Sequence, residues 1–114
     1  MRHMTSFDFG DIVLVPFPFT DQTGAKKRPA VVVSSQTLHR EGIDVVIMAV
    51  TTQSRPSSSL EVTISYWQPA GLLRPSVVKP VIATIEKSLV VKKLGSLQEH
   101  DLNELHDALL RALG

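Results

Sequence analysis

Residues 10–35 constrain the fold of this chain more than any other stretch. Two short apolar runs, residues 12–15 and 30–33, flank a polar segment that carries an acid, an amide and three consecutive cations. Runs of this length and composition are typical of β-strands, and the polar, Gly-containing segment between them predicts a turn. Pro29 restricts the backbone of Arg28 to an extended conformation. The sequence therefore predicts a hairpin with Arg28 at the start of its second strand.

Further short apolar runs follow over residues 43–52, 60–65, 72–85 and 92–94. Their length and β-branched content predict strands, whereas the polar stretch 34–42, which includes His39, is expected to be a solvated turn. Short strands of this kind predict a mostly antiparallel β-barrel. Residues 1–114 are expected to form one domain, with residues 1–6 as a flexible leader.

The last segment of the chain predicts an α-helix. Its leucines follow a 3-4-4 spacing that places them on one face: Leu102, Leu105, Leu109 and Leu113. Ser96 and Glu99 have the spacing of a capping box, and Asp101 lies in the first turns, where the helix dipole favours a carboxylate. The apolar stripe is expected to close one side of the barrel.

Several functional classes are disfavoured by the composition. The chain has no Cys, so it has neither disulfides nor a thiolate metal site, and its four His lack ligand spacing with Asp or Glu. It has no Gly-rich phosphate-binding loop and no dinucleotide motif. No apolar run approaches the roughly 20 residues needed to cross a bilayer. In the absence of a secretory signal, a cytoplasmic protein without membrane contact is expected.

The charges are distributed unevenly along the chain. Residues 1–95 carry eleven Lys or Arg and seven Asp or Glu, a net charge of +4, whereas residues 96–114 carry −3. A mildly basic body suits a polyanionic partner. An acidic, solvated helix face beside an ordinary surface gives the same totals and is the simpler alternative.

Two polar residues follow or begin buried strands and are candidates for chemistry. Arg28 begins the second predicted strand and Thr51 ends the third. If the two ends lie side by side, a guanidinium that binds a phosphate bidentately meets a hydroxyl that can bond the same oxygens. RNA supplies its own nucleophile, the 2′-hydroxyl, so its cleavage needs only alignment, a proton acceptor and donor, and charge stabilisation, without a metal. Taken singly, Arg28 is equally well explained as a surface cation and Thr51 as a strand-end hydroxyl that bonds the backbone.

Four stretches together resemble the MazF/PemK family, the toxins of type II toxin–antitoxin systems. They are Gly-Asp-Ile-Val at 10–13, Lys-Arg-Pro-Ala-Val-Val-Val at 27–33, Ala-Val-Thr-Thr-Gln at 49–53, and Ala-Thr-Ile-Glu-Lys-Ser at 83–88 with Leu-Gly-Ser-Leu at 94–97. The resemblance covers about residues 10–114. It implies an SH3-like antiparallel β-barrel with a C-terminal helix and a homodimer. It also implies an endoribonuclease that cleaves single-stranded RNA at short sequences, with no cofactor or metal, through a 2′,3′-cyclic phosphate. A cognate antitoxin would inhibit it.

The resemblance also implies roles for individual residues. Arg28 matches the family's general acid/base candidate, and we expect it to stabilise the phosphate and donate a proton. Thr51, with Thr52 as the one-residue alternative, matches the hydroxyl that hydrogen-bonds the transition state. Asp21 stands where the family usually has a loop Glu. The remaining expected RNA contacts are Gln22, Lys26, Lys27, Gln53, Arg55 and Arg74.

Two other functions are compatible with the same fold. One is a toxin of the CcdB type that binds DNA gyrase, and the other is an inactive barrel that only binds RNA or an antitoxin. Neither needs Arg28 and Thr51 to lie together, whereas the nuclease does. RNA cleavage in EDTA distinguishes the three.

Overall fold

The computed structural model describes residues 6–16, 26–42 and 44–114. Within these residues the strands are β1 (Asp11–Pro16), β2 (Lys27–Val32), β3 (Val45–Thr52), β4 (Val62–Ile64), β5 (Ser76–Ile85) and β6 (Lys92–Ser96). The helices are α1 (Gln36–Arg40) and α2 (Glu99–Leu113), and a single 3₁₀ turn spans Lys87–Leu89. The predictions for the leader residues 1–5 and for the hairpin loop 17–25 lie outside the described residues.

The strands form one sheet in the order β4-β5-β3-β2-β1-β6, and all neighbouring strands are antiparallel. The predicted class, a mainly antiparallel β-fold with a C-terminal helix, is confirmed. The sheet is curled into a half-barrel: its edge strands, β4 and β6, are not paired with each other, but the turn after β4 packs against β6. A Cβ atom on Gly71 would lie 2.1 Å from the Leu94 carbonyl oxygen, and one on Gly95 would lie 2.3 Å from the Ala70 carbonyl oxygen. Only glycine permits so close an approach of two backbones.

Apolar side chains are buried on both faces of the sheet. On one face, Ile12 and Val31 belong to a cluster that includes Leu105 of α2. On the other face, Val13 and Val32 pack with Phe7. Because neighbouring residues of a strand point to opposite faces, the apolar runs in β1 and β2 supply both clusters. The C-terminal half of β2 is thus buried on both faces.

The apolar stripe of α2 is confirmed in part. Leu105 is fully buried, and Leu102 and Leu109 pack partly buried against the same cluster. Leu113 is 72% exposed, so its predicted place in the stripe is wrong. Ala108 is buried instead. The apolar contacts between α2 and the core therefore end before Leu113.

The predicted capping box is wrong. Gln98 is the N-cap residue of α2 and makes no side-chain capping bond. Ser96 belongs to β6, where it pairs with Asp11, and its hydroxyl donates to Asp11 Oδ1 over 2.8 Å. The strand pairing therefore directs the hydroxyl to a buried carboxylate, three residues before α2 begins.

Asp101 stabilises the fold through buried hydrogen bonds, in addition to its favourable position in the field of the helix dipole. Its side chain is completely buried, and its carboxylate accepts from the backbone N–H groups of Ser65 (3.1 Å) and Tyr66 (2.9 Å). These bonds attach the first turn of α2 to the turn that follows β4. They help to hold that turn against the sheet.

The stretch predicted as a solvated turn contains the short helix α1 instead. Its N-cap, Ser35, accepts from Leu38 N over 3.4 Å. His39 is only 7% exposed: Nδ1 lies 2.7 Å from the Phe7 carbonyl oxygen and Nε2 lies 2.7 Å from Ser34 Oγ. Since a carbonyl only accepts, Nδ1 donates to Phe7 and Nε2 accepts from Ser34. The prediction of a solvated His39 is wrong because this residue links the N-terminal segment to the sheet.

Candidate active site

A pocket of about 620 Å³ opens at one end of the sheet. Antiparallel pairing brings the last residues of β1 and β3 to the same end as the first residues of β2, β5 and β6. The pocket is lined by Leu14, Arg28, Pro29, Val50, Thr51, Thr52, Gly71, Leu72, Leu73, Arg74, Ser76, Lys92 and Leu94. It combines an apolar wall with hydroxyl groups and cations.

Arg28 and Thr51 both line this pocket and belong to neighbouring strands. The β2–β3 register pairs Val31 with Met48 and Ala30 with Ala49. Continued by two residues, this register sets Arg28 opposite Thr51, and residues directly opposite have Cβ atoms about 5 Å apart. Arg28 is also paired with Val15 of β1, so its backbone is fixed on the other side. Strand pairing thus brings together a half-buried guanidinium and a half-buried hydroxyl that are distant in sequence.

The neighbouring hydroxyls lie on the β5 side of the pocket. Thr52 is paired with Ser76, and both residues line the pocket. Ser76 Oγ donates to the Arg74 carbonyl oxygen over 2.9 Å, which holds the backbone of the preceding segment. Arg74 lines the pocket and is exposed. Of the two threonines, Thr51 is the one that the strand register sets against Arg28.

Lys92 is a lining residue that the sequence did not indicate. It begins β6 and is paired with Leu14, which is paired on its other side with Pro29. Of the described residues that line the pocket, Arg28, Arg74 and Lys92 are cationic and none is acidic. Such a lining attracts a phosphate group. The sequence alone did not indicate Lys92 because the β1–β6 pairing joins segments about eighty residues apart.

The other predicted RNA contacts lie elsewhere or outside the described residues. Lys26 and Lys27 are exposed near the start of β2, and neither lines the pocket. Gln53 and Arg55 follow β3 and are not lining residues either: the Gln53 side-chain amide donates to the Arg55 carbonyl oxygen over 2.6 Å and to Glu61 Oε1 over 3.1 Å. Asp21 and Gln22 belong to the stretch 17–25, which the structure does not describe.

Hydrogen bonds hold the pKa of Glu61 well below its usual value. Its Oε2 lies 2.6 Å from Lys79 Nζ, and its Oε1 accepts from the backbone N–H of Ser57 over 2.8 Å. The hydrogen bond from Lys79, followed by that from Ser57, lowers the pKa of Glu61 from 4.5 to about 2. The carboxylate is therefore ionised throughout the neutral range, and it binds the loop that follows β3.

Residues 6–16, 26–42 and 44–114 contain no group of three or more His, Asp or Glu placed to hold a metal ion. None of the helices in this part of the chain is both long and apolar enough to cross a membrane.

One known protein family matches nearly the whole chain. The family model described as the PemK-like, MazF-like toxin of type II toxin–antitoxin systems matches residues 8–113. The chain belongs to this family. The resemblance seen in the sequence motifs is therefore confirmed. No curated protein matches the chain in the corresponding search.

Solved structures show the same fold. An endoribonuclease in complex with its cognate antitoxin, from a mycobacterial species, is 24% identical with a TM-score of 0.76, and the match covers 94% of each chain. The Mycobacterium tuberculosis toxin MazF-mt6 is 22% identical with a TM-score of 0.73 over 90% of this chain and 95% of that one. MazF from Deinococcus radiodurans is 22% identical with a TM-score of 0.72 over 97% and 99%. The PemK/MazF fold is thus present over nearly the whole chain.

Proposed function

We propose that this PemK/MazF-family toxin is an endoribonuclease that cleaves single-stranded RNA at short sequences. The observation that supports it best is the lining of one pocket by Arg28 and Thr51. The β2–β3 register, continued two residues beyond the Ala30–Ala49 pair, sets these two residues opposite each other. Two structural neighbours of the same fold are described as endoribonucleases. The residue roles below are part of this proposal.

The chemistry that these groups support is an in-line transesterification. The RNA 2′-oxygen bonds to phosphorus, the bond from phosphorus to the 5′-oxygen breaks, and a 2′,3′-cyclic phosphate and a 5′-hydroxyl result. The 2′-hydroxyl gives up its proton to solvent, and the 5′-oxygen takes one from Arg28, which regains a proton from solvent. Arg28 brings a positive charge and several N–H donors to the pocket. Its guanidinium therefore stabilises the charge on the phosphate oxygens and offers a proton toward the leaving oxygen.

Thr51 donates its hydroxyl hydrogen to a non-bridging oxygen whose charge increases in the transition state. Thr52, on the Ser76 side of the pocket, is the alternative donor. The second and third cations, Arg74 and Lys92, supply charge without a metal ion or cofactor.

Base contacts are expected along the apolar wall of the pocket. Leu73 lines it and is 91% exposed, beside Arg74. An apolar side chain next to a cation suits a base attached to its phosphate. Beyond the pocket, the RNA contacts proposed from the sequence remain Asp21, Gln22, Lys26, Lys27 and Arg55.

The partners follow from the same proposal. A toxin of this family is inhibited by a cognate antitoxin, and solved relatives from mycobacterial species and from Deinococcus radiodurans are complexes with theirs. We propose a homodimer as well, because Val81, Ile82, Leu89 and Val91 are apolar and 39–49% exposed. Light scattering of the purified toxin tests the dimer. The cytoplasm, where messenger RNA is translated, is the proposed site of action.

The products of cleavage test the proposed reaction directly. The purified toxin is incubated with a long single-stranded RNA in EDTA, and the fragment ends are sequenced and chemically identified. We expect discrete cuts at a short sequence, each leaving a 2′,3′-cyclic phosphate and a 5′-hydroxyl. Intact RNA refutes the proposal and leaves the gyrase-directed toxin or an inactive binding barrel. Fragments with 3′-hydroxyl ends refute the mechanism.

A further inference from the structure

One carboxylate that does not line the pocket accepts hydrogen bonds from four donors. The Glu61 side chain is only 6% exposed. Its Oε1 accepts from Gln53 Nε2 (3.1 Å) and from Ser57 N (2.8 Å). Its Oε2 accepts from Ser57 Oγ (2.9 Å) and from Lys79 Nζ (2.6 Å). One acidic side chain thus connects the loop after β3 to strand β5.

The residue bound by Glu61 directly follows the threonines of the pocket. Strand β3 ends at Thr52, and the next residue, Gln53, donates its backbone N–H to the Pro75 carbonyl oxygen over 3.0 Å. Gln53 is therefore held at its backbone by the segment before β5 and at its side chain by Glu61. This double attachment fixes the path of the chain where it leaves Thr51 and Thr52.

We propose that Glu61 is a positioning residue for RNA cleavage, which holds the end of β3 so that Thr51 keeps its place against Arg28. The inference rests on the proposed nuclease activity. It gives Gln53 a new role: the amide serves as the link between Glu61 and the end of β3 rather than as an RNA contact. Glu61 itself touches no substrate in this scheme.

The four donors explain why this position requires a carboxylate. Two oxygens that only accept match four groups that only donate here, and Lys79 balances the charge. A Gln at this position replaces one oxygen with an NH₂ group, which then faces a donor. The lowered pKa of Glu61 has the same origin, because the hydrogen bonds from Lys79 and Ser57 favour the ionised form. Loss of the network shifts the end of β3, and a displacement of about 1 Å at a reacting group can cost about 100-fold in rate.

The test compares Glu61→Gln with Glu104→Gln, an exposed control on α2. Steady-state cleavage of RNA is measured well below the melting temperature of each variant. For E61Q we expect kcat to fall roughly 10- to 100-fold while KM changes less than about threefold, because positioning acts on the transition state. E104Q should cleave like the wild type. Wild-type kcat in E61Q overturns the proposal, and so does a loss confined to KM.

A second variant tests the link through Gln53. If Glu61 acts through this amide, Gln53→Ala lowers kcat with KM unchanged, and E61Q added to Q53A costs less than about threefold more. Independent, multiplicative losses overturn the proposed link. A rise in KM alone in Q53A makes Gln53 an RNA contact and also overturns it.

A measurement without RNA keeps this inference separate from the nuclease proposal. Amide NMR spectra of wild type and E61Q are compared at Thr51, Thr52 and Gln53. We expect shifted resonances and faster hydrogen exchange at all three in E61Q, and none in E104Q. If the wild type cleaves no RNA, the nuclease proposal fails by itself. Unchanged resonances at the three residues refute the positioning by Glu61 whether or not RNA is cleaved.

Discussion

Replacement of Asp101 tests how α2 is attached to the sheet. The carboxylate is completely buried and accepts from Ser65 N at 3.1 Å and Tyr66 N at 2.9 Å. In Asp101→Ala both N–H groups lose a charged acceptor, and hydrogen bonds to charged groups contribute about 1.5–3 kcal/mol each. Ser65 and Tyr66 are exposed residues, so water replaces part of the loss. We therefore expect the free energy of unfolding to fall by about 2–4 kcal/mol.

This loss is large beside the roughly 5–15 kcal/mol that stabilises a domain of this size. Domains of about 100 residues lose about 4 °C or more in Tm per kcal/mol, so we expect Tm to fall by roughly 8–16 °C. Urea unfolding followed by circular dichroism gives the free energy, and a thermal scan gives Tm.

Two variants make the Asp101 experiment specific. Asp101→Asn keeps one acceptor oxygen, so its loss should lie between that of D101A and zero. Asp107→Ala removes an exposed carboxylate from the same helix, and its effect should stay within about 0.5 kcal/mol. A change below about 1 kcal/mol in D101A, or an equal loss in D107A, would refute the idea that Asp101 fastens α2 to the turn after β4.

Three further predictions concern acid stability, the close backbone approach and the pocket cations. Because the pKa of Glu61 falls from 4.5 to about 2 on folding, its stabilising contribution is full above pH 4.5 and declines as the pH falls toward 2. Urea unfolding should therefore show that the difference in the free energy of unfolding between wild type and E61Q narrows from pH 7 to pH 3. A constant difference contradicts this. Gly95→Ala should lower the free energy of unfolding by several kcal/mol, because its methyl group meets the Ala70 carbonyl oxygen. Gly42→Ala, whose methyl group has nothing within 4 Å, should cost only about 1–2 kcal/mol of backbone strain. Equal losses of the two variants in chemical denaturation would show that the contact is unimportant. Lys92→Ala should weaken the binding of a 2′-O-methyl RNA and reduce the slope of log K against log salt by about 0.7, with an unchanged melting curve; an unaltered slope in fluorescence anisotropy would place Lys92 away from the phosphates.

Local patterns carried the parts of the fold that were predicted correctly. The apolar runs of β1 to β3 are long enough to show strands by themselves, and the leucine spacing of α2 shows a helix without any knowledge of its partner. Arg28 and Thr51 were singled out in the same way, because each stands at the end of such a run, and both line the pocket. The family resemblance then gave the two residues a common purpose.

The parts that were missed depend on pairing between distant segments. Ser96 fits a capping box in sequence, but β6 pairs with β1 and delivers its hydroxyl to Asp11. His39 stands in a polar stretch, yet the Phe7 carbonyl and Ser34 enclose it. Lys92 joins the pocket through the same β1–β6 pairing. No window of a few residues contains these partners, so a local pattern cannot reveal them.

The central claim is that Arg28 and Thr51 act together on one phosphate. Single-turnover cleavage of one RNA in EDTA by Arg28→Ala, Thr51→Ala and the double variant tests it most directly, with Arg40→Ala as the exposed control on α1. We predict that each single variant loses at least about 100-fold in rate, as when one transition-state donor is removed. The double variant should lose much less than the product of the two single losses, and all variants should melt within a few degrees of the wild type. Wild-type cleavage by R28A or T51A would contradict the account, and so would multiplicative losses in the double variant.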